Sequence, residues 1–502
     1  MDTAEHPGEY ADRVKKLELL QEAGMSAYAH AFDKTHTCKE ATGAGEGQEV
    51  RTAGRVMLKR EMGKIAFVHI QDFSGRMQIV LKVGEIDDVS YDLFTRVVDP
   101  GDFVGVSGTI FTTKKGEISV LVKSWTFLTK ALLPLPEKWH GLTDEDTRYR
   151  KRYLDLLQSD ALRELFVKKS KFWAVTRQFM VSKGFLEIET PTLEVTTGGA
   201  EARPFVTHHN DFAIDLYLRI SVGELWQKRL MAGSFEKIFE IGRAYRNEGT
   251  SPEHIQEFTN MEFYWAYADY QSGMKLVQEL YQTIAQEVFG TTRFETRGQV
   301  FDLAGDWPQI EYRDEVARQT GIDVLKATEA EMKAKLDALH IQYEGSNRER
   351  LMDTLWKVCR KKISGPVFLI HHPKLVSPLA KPLPSNPELT ERFQIIIAGS
   401  ENGNGFSELN DPLDQRARFE LQEKLIARGD AEAMMPDWEF VEMLEHGMPP
   451  TCGFGFGERL FSFMVDKPIR ETQLFPLMRP EPKHPERSKQ DPALGVQNSL
   501  EN

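Results

Sequence analysis

Between residues 50 and 130 the chain breaks into five short strand-like runs, VRTAGRVMLKR, KIAFVHIQDF, GRMQIVLKV, DFVGVSGTIF and EISVLVKSWTFL. Glycine turns at MGK, SGR, PGD and KKGE part them. Five runs in so short a span suit a small closed β-barrel, because alternating side chains then fill one interior and no long edge is left bare. Residues 51–130 carry 12 Lys+Arg against 9 Asp+Glu, a net +3 in a chain whose total is −13, so the remainder carries −16. A further basic knot, RYRKRY, follows at 148–153. An acidic protein of this kind still offers a positive surface to a polyanion.

Five strands favour the oligonucleotide-binding barrel, although an SH3-like or other small β-domain fits the count nearly as well. At 502 residues the chain exceeds one hydrophobic core, and two to four domains are expected. Apolar content of 41% with 10% aromatics is ordinary for a globular protein. No apolar run is long enough to cross a bilayer, and MDTAEHPGEY lacks the charged-then-apolar pattern of a leader. Cys38, Cys359 and Cys452 stand far apart without a CxxC pair, which points to a reducing, cytoplasmic setting with neither disulfide nor zinc.

Residues 1–48 read as an N-terminal helical extension, 49–130 as the barrel and 131–160 as a linker bearing the proline-containing ALLPLPEKWHGLTDEDT. A second domain over 161–480 opens on LRELFVKKSKFWAVTRQFMVSKG, whose apolar residues share a helical face closed by Gly184. FLEIETPTL follows as a strand stopped by Pro191, and charged helical texture over about 310–365 reads as an insertion. The tail 481–502 has almost nothing to bury and is expected to be disordered.

Three segments carry chemistry. KIFEIGRAYR (237–246) and NMEFYWAYAD (260–269) form a strand pair joined by a polar loop. Period-two geometry puts Glu240 and Arg246 on one face and shares Glu262 with Tyr264, leaving the opposite faces greasy. GFGFGERL (453–460) places glycine at every second position, so one strand face is bare and a flat ligand or helix can approach it. ENGNGFSELND (401–411) follows the buried run FQIIIAGS and brings acid where a phosphate would want base.

Together these pieces resemble the class II aminoacyl-tRNA synthetases: FLEIETPTL is similar to that class's first motif, FEIGRAYRNEGTSPEHIQEFTNMEFYWAYAD to the second and GFGFGERL to the third. More narrowly, GGAEARPFVTHHN, SPLAK, GNGFSELND and MPPTCGFGFGERL resemble segments of the lysine–tRNA ligases. The resemblance implies an α+β fold, with an N-terminal anticodon-binding barrel before a catalytic domain on an antiparallel sheet flanked by helices. It implies L-lysine, ATP and tRNA(Lys) as substrates, Mg2+ as cofactor, no membrane, and a homodimer paired through the first motif.

Residue by residue, the resemblance sets Glu408 and Tyr264 at the lysine ε-ammonium, with Phe406 closing over its methylene stem. Gly199, Glu224 and Glu262 fall around the α-amino group, and Arg246 with Asn404 at the α-carboxylate. Arg246 also meets the ATP α-phosphate, Arg459 and His254 the outer phosphates, Phe258 stacks on adenine and Glu248 reads its edge. Arg246 and Arg459 carry the catalytic acceleration. Glu401 and Glu408 are the metal candidates with Gln394, where the family usually has acid; an amide is a neutral ligand. Phe67, Gln78 and Glu117 match the barrel positions that read the anticodon. The third motif departs in carrying Phe454, Phe456 and a Gly-Glu before Arg459, and RISVGELWQKR is one residue longer than usual.

An acidic pocket neutralises a buried ammonium and repels aspartate. An aspartate-using relative would need an arginine or lysine there, and 401–411 supplies none; a basic group in the pocket would count against a lysine substrate. The alternatives are an aspartate- or asparagine-specific relative and a catalytically impaired tRNA-binding regulatory paralogue.

Overall fold

A computed structural model describes residues 7–136, 144–199, 202–343, 347–427 and 434–481. The chain forms two compact units, residues 1–158 and 159–502. The tail expected to be disordered lies almost wholly outside the described residues, as does 137–143 of the linker.

In the first unit, a helix (Pro7–Glu22) and a short capped turn of helix (Cys38–Thr42) precede the barrel. The strands are β1 (Glu49–Met62), β2 (Ile65–Gln71), β3 (Arg76–Lys82), β4 (Phe103–Thr112) and β5 (Ile118–Thr129), closed in the order β1-β2-β3-β5-β4. The interior holds Val56, Val68, Ile70, Ile79, Val106 and Val122, delivered by the alternation visible in the runs. One element had no counterpart in the strand pattern: helix Asp88–Val97, capped by Asp87, which buries Phe94 and Val97 against the barrel core. The basic knot is partly internal, since buried Arg152 and Arg148 both turn onto Asp155, at 3.0 and 3.2 Å.

The second unit is built on an eight-stranded sheet in the spatial order Gln309–Glu311, Val367–Ile370, Arg392–Ile397, Ser400–Ser407, Thr451–Gly457, Glu257–Ala266, Lys237–Tyr245 and Leu186–Glu187. The six central strands pair antiparallel and only the two outermost pairings are parallel. One face packs Phe239, Phe263, Phe393, Phe454 and Phe456 against helices Asp160–Ser182 and Tyr270–Ile284. Ser159 starts the first of these helices by accepting from Leu162 N, and Gly184 at φ +81° turns the chain out of it. FLEIETPTL gives only the two-residue strand Leu186–Glu187 to this sheet; Leu193–Glu194 joins a separate three-stranded sheet.

The segment around 310–365 is more than an appendage. Its strand Gln309–Glu311 extends the main sheet, and its helices share a core with Leu369 and Ile396 of that sheet. Phe454 and Phe456, the departures in the third motif, sit on the helix-facing side: Phe454 stacks on Phe393 at 5.6 Å and Phe456 on Trp173 at 5.9 Å. The opposite side of that strand carries the glycines. Among the described residues no helix is long and apolar enough to cross a membrane, and all three cysteines are free and buried.

Phe456 is thus a core residue. Phe456→Ala is expected to cost roughly 3–5 kcal/mol in urea unfolding, and unchanged stability would contradict this placement.

Candidate active site

The polar face of the sheet is set by register. Asn260, Glu262 and Tyr264 lie opposite Gly457, Gly455 and Gly453. A β-carbon at 453 would strike Glu408 Oε1 and the Tyr264 ring, and one at 455 would meet Glu262 Cγ at 2.8 Å. The alternating glycines therefore make room first for acid side chains of neighbouring strands, rather than for a ligand lying directly on the backbone. These residues line a cavity of about 410 Å³ that runs from Gly199 and Glu224 at one end to His254 and Arg459 at the other.

At the acidic end, Glu262 Oε1 accepts from Val222 N (2.7 Å) and Asn260 Nδ2 (3.0 Å), and Tyr264 OH lies 3.4 Å from Oε2. Its cross-strand neighbour Glu240 is already neutralised by Arg219 at 2.7 Å. Gly223 at φ +67° packs so tightly on Thr190 that no side chain fits, and helix Glu224–Ala232 begins at the next residue. One turn of that helix sets Glu224 and Lys228 side by side, with Nζ 2.7 Å from Glu224 Oε1. Gly199, at φ +89°, leaves the other side of Glu224 open.

Here the structure corrects the sequence reading. Lys228 Nζ also lies 2.7 Å from Glu408 Oε2, inside a ring of Phe406 (5.2 Å), Phe440 (5.8 Å) and Tyr264 (5.9 Å). A basic group does stand in the pocket. It escaped notice because it comes from the helix, not from 401–411. Its charge is engaged by two carboxylates, so Lys228 offers no free cation to a side-chain carboxylate. Among the described residues Lys228 meets Glu408 through Oε2, while Glu408 Oε1 is buried without a donor. Burial, with Glu224 and Glu262 nearby, pushes Glu408 above the carboxylate range despite Lys228. Burial and Glu224 push Glu262 up as well. Lys228 is held charged because Glu224 and Glu408 outweigh its burial.

The other end is cationic. The Arg246 guanidinium lies 5.2 Å from the Phe258 ring centre and donates to Ile220 O. Arg459, the first residue of helix Arg459–Met464, donates to Glu401 O at 3.0 Å and to Glu253 O at 3.4 Å. Burial and then Arg459 push His254 down to about 4, so it is neutral at pH 7 while Ser251 Oγ holds its Nδ1 at 2.7 Å. Glu248 lines the same end. Asn404 presents its amide, with Oδ1 held by Arg392 Nε at 2.8 Å.

Sequence reasoning missed Lys228, Arg392 and Glu253, the last of which is held by Arg297 and Ser400 beside Arg459. It read helix Arg348–Arg360 as part of an insertion and missed that this helix lends Glu349, Asp353 and Trp356 to the cavity wall. Lys228 had a signal, namely its i,i+4 spacing from Glu224; the others had none beyond composition.

The metal candidates do not form one site. Glu401 and Glu408 stand seven residues apart on one extended segment, roughly 23 Å at 3.3 Å per residue, and Glu408 is engaged by Lys228. Glu401 Oε2 lies 4.0 Å from Arg360, and Gln394 Oε1 is buried without a partner. Among the described residues no three His, Cys, Asp or Glu side chains converge on a metal position. One carboxylate and one orphaned amide oxygen fit a hard cation carried mainly by phosphates, not one held by protein alone.

On the barrel, Phe67, Gln78 and Glu117 share an outer face with His69. Gln78 Nε2 donates to Glu117 Oε2 (2.7 Å), Ser119 Oγ to Gln78 Oε1 (3.0 Å), and His69 Nε2 lies 3.0 Å from Glu117 Oε1. Phe67 is half-buried one strand alternation from His69.

A family model described as tRNA synthetases class II (D, K and N) matches residues 144–479, about two thirds of the chain. The chain belongs to that family. A second family model, an OB-fold nucleic acid binding domain, matches residues 50–128. Among curated relatives, the lysine–tRNA ligase of Thermotoga maritima is 45% identical over 480 residues, covering 93% of this chain and 95% of its own. That of Moorella thermoacetica is 44% identical, with 94% and 98% covered. That of Thermosynechococcus vestitus is 43% identical, with 94% and 96% covered.

One further acid belongs to this buried group. Burial pushes Glu194 up to about 8. A carboxyl raised in the folded state is protonated there while the unfolded chain has ionised, so it lowers stability progressively as pH rises from about 4 to about 8. Glu194→Gln is therefore expected to gain melting stability over the parent as pH rises from 5 to 8, approaching about 1 kcal/mol per pH unit. A pH-independent difference would refute the assignment.

Proposed function

We infer that this synthetase is a lysine–tRNA ligase. It activates L-lysine with ATP to lysyl-adenylate and pyrophosphate, then transfers lysine to the 3′ end of tRNA(Lys). The observation that carries the choice of amino acid is the buried acid group of Glu224, Glu262 and Glu408, of which Glu408 Oε1 has no hydrogen-bond donor. An ammonium entering beside it supplies that donor. An aspartate side chain would add a further anion and find the cation beside these acids, Lys228, already bound by two carboxylates.

In this reading the ε-ammonium sits against Glu408 and Tyr264 with Phe406 along its stem. The α-ammonium lies among Gly199, Glu224 and Glu262, and the α-carboxylate meets Arg246 and the Asn404 amide. Arg246 lies between the amino acid and the nucleotide. A lysine carboxylate oxygen attacks the α-phosphorus, the bond to the β-phosphate oxygen breaks, and pyrophosphate leaves. The 3′-terminal ribose hydroxyl of tRNA then attacks the adenylate carbonyl and AMP departs. Arg246 and Arg459 neutralise charge on the phosphates, and neutral His254 serves as a hydrogen-bond donor to them. Phe258 stacks on adenine and Glu248 reads its edge. Positioning and electrostatics supply the acceleration without a protein nucleophile. Mg2+ bound with ATP would neutralise phosphate charge, and Glu401 with Gln394 would hold it.

Phe67 stacks on an anticodon base while Gln78 and Glu117, braced by Ser119 and His69, bond to base edges. Free buried cysteines and the family's task in translation support a cytoplasmic location. Exposed Val167 and Val181 on helix Asp160–Ser182, with Leu186 and Leu193 after it, support a homodimer joined through this surface.

Amino-acid-dependent exchange of pyrophosphate into ATP tests the activation step. Exchange is expected with lysine and not with aspartate or asparagine. Glu408→Gln should raise the lysine KM by about tenfold or more with the ATP KM little changed; an unaltered lysine KM would sink the pocket assignment. Phe67→Ala should raise the tRNA KM by about tenfold, from roughly 1–3 kcal/mol of lost stacking, while leaving exchange intact. Equal loss in exchange and charging would contradict a role confined to the anticodon.

A further inference from the structure

The lysine reading leaves one buried charge without a task. Lys228 is 1% exposed, fixed on helix Glu224–Ala232 and enclosed by three rings, yet it touches the two carboxylates that face the amino acid. We propose that Lys228 is a specificity-determining residue of the amino-acid pocket, a permanent counter-ion that absorbs the one negative charge a bound lysine cannot pair. The proposal rests on the functional reading above.

The charges that face the amino acid balance with Lys228 included, Arg392 being spent on Asn404 Oδ1 and Val376 O. Glu224, Glu262 and Glu408 are 7%, 6% and 1% exposed. Ionised in the presence of the two ammoniums of bound lysine, and counted with the substrate carboxylate, they make four negative groups. Lys228, Arg246 and the two ammoniums of lysine make four positive ones. Glu240 stands outside the count because Arg219 neutralises it. Without Lys228 one of these buried carboxylates would have no partner, which is costly enough to favour its protonation and the loss of its pull on a cation.

Geometry agrees with the count. Lys228 engages Glu224 Oε1 and Glu408 Oε2. The oxygens it leaves lie beside bare backbone: Glu224 Oε2 is 2.8 Å from where a β-carbon of Gly199 would stand, and Glu408 Oε1 faces Gly453. One oxygen of each acid is thus held by the resident ammonium, and the other is left for an incoming one. A neutral side chain of equal length leaves an anion unpaired, and an anionic side chain adds another. Only a cation closes the balance.

The test uses the full chain in lysine-dependent pyrophosphate exchange, with L-norleucine as the equally long substrate lacking the ammonium. Lys228→Met keeps the stem among its rings and removes the charge. The lysine-to-norleucine ratio of kcat/KM is expected to fall by about tenfold or more, through a higher lysine KM, with kcat and the ATP KM within about twofold of the parent. Lys228→Arg should retain most of the discrimination. A folded Lys228→Met protein with the parental ratio, or with equal losses for both amino acids, overturns the proposal. If Lys228→Met fails to fold, Lys228→Gln, which can donate to the carboxylates without charge, is judged by the same ratio. Absence of lysine-dependent exchange in the parent would reject the functional reading itself, whatever Lys228 does.

Discussion

The cost of burying unpaired charge organises this molecule's active site. Three carboxylates and an ammonium lie under one end of an eight-stranded sheet with almost no contact with water. Such a cluster persists only where each member is held. Glu262 is held by a backbone amide, an asparagine and a phenol, and Glu224 by Lys228 from its own helix. Glu408 meets Lys228 through Oε2 and keeps Oε1 without a donor. A site whose last deficit is a donor at a buried carboxylate suits a cationic ligand, and in the proposed reading that deficit ties the fold to the choice of amino acid.

The rest of the architecture serves this arrangement. Glycines at 453, 455 and 457 clear space for side chains of adjoining strands, while phenylalanines at 454 and 456 anchor the same strand to the helical layer. One seven-residue strand therefore does both jobs through its two faces. At the cavity's far end Arg246, Arg459 and a neutral His254 lie together, and in the proposed reading the separation of acidic from cationic ends orients an amino acid against a nucleotide.

Much of this was legible in the sequence because it is periodic or local. Barrel strands, the helix ending at Gly184 and the hairpin of Glu262 and Tyr264 all follow from alternation, spacing and punctuation. Phe454 and Phe456 looked like departures within a site motif and proved to be core residues, since strand parity turns their rings into the helix-packed core. What escaped depends on distant parts of the chain. Lys228 reaches Glu408 across 180 positions, and Arg392 reads as the polar start of an apolar run. Helix Arg348–Arg360 has the composition of a solvated insertion, yet one side of it walls the cavity. Tertiary pairing of charges has no period, and so leaves no pattern to read.

Calorimetric titration of the protein with L-lysine, L-norleucine and L-aspartate measures the central claim without relying on turnover. The account predicts that lysine binds, that norleucine binds at least about tenfold more weakly because Glu408 Oε1 stays unpaired, and that aspartate gives no measurable heat. Comparable affinity for lysine and norleucine, or tighter binding of aspartate, would contradict it.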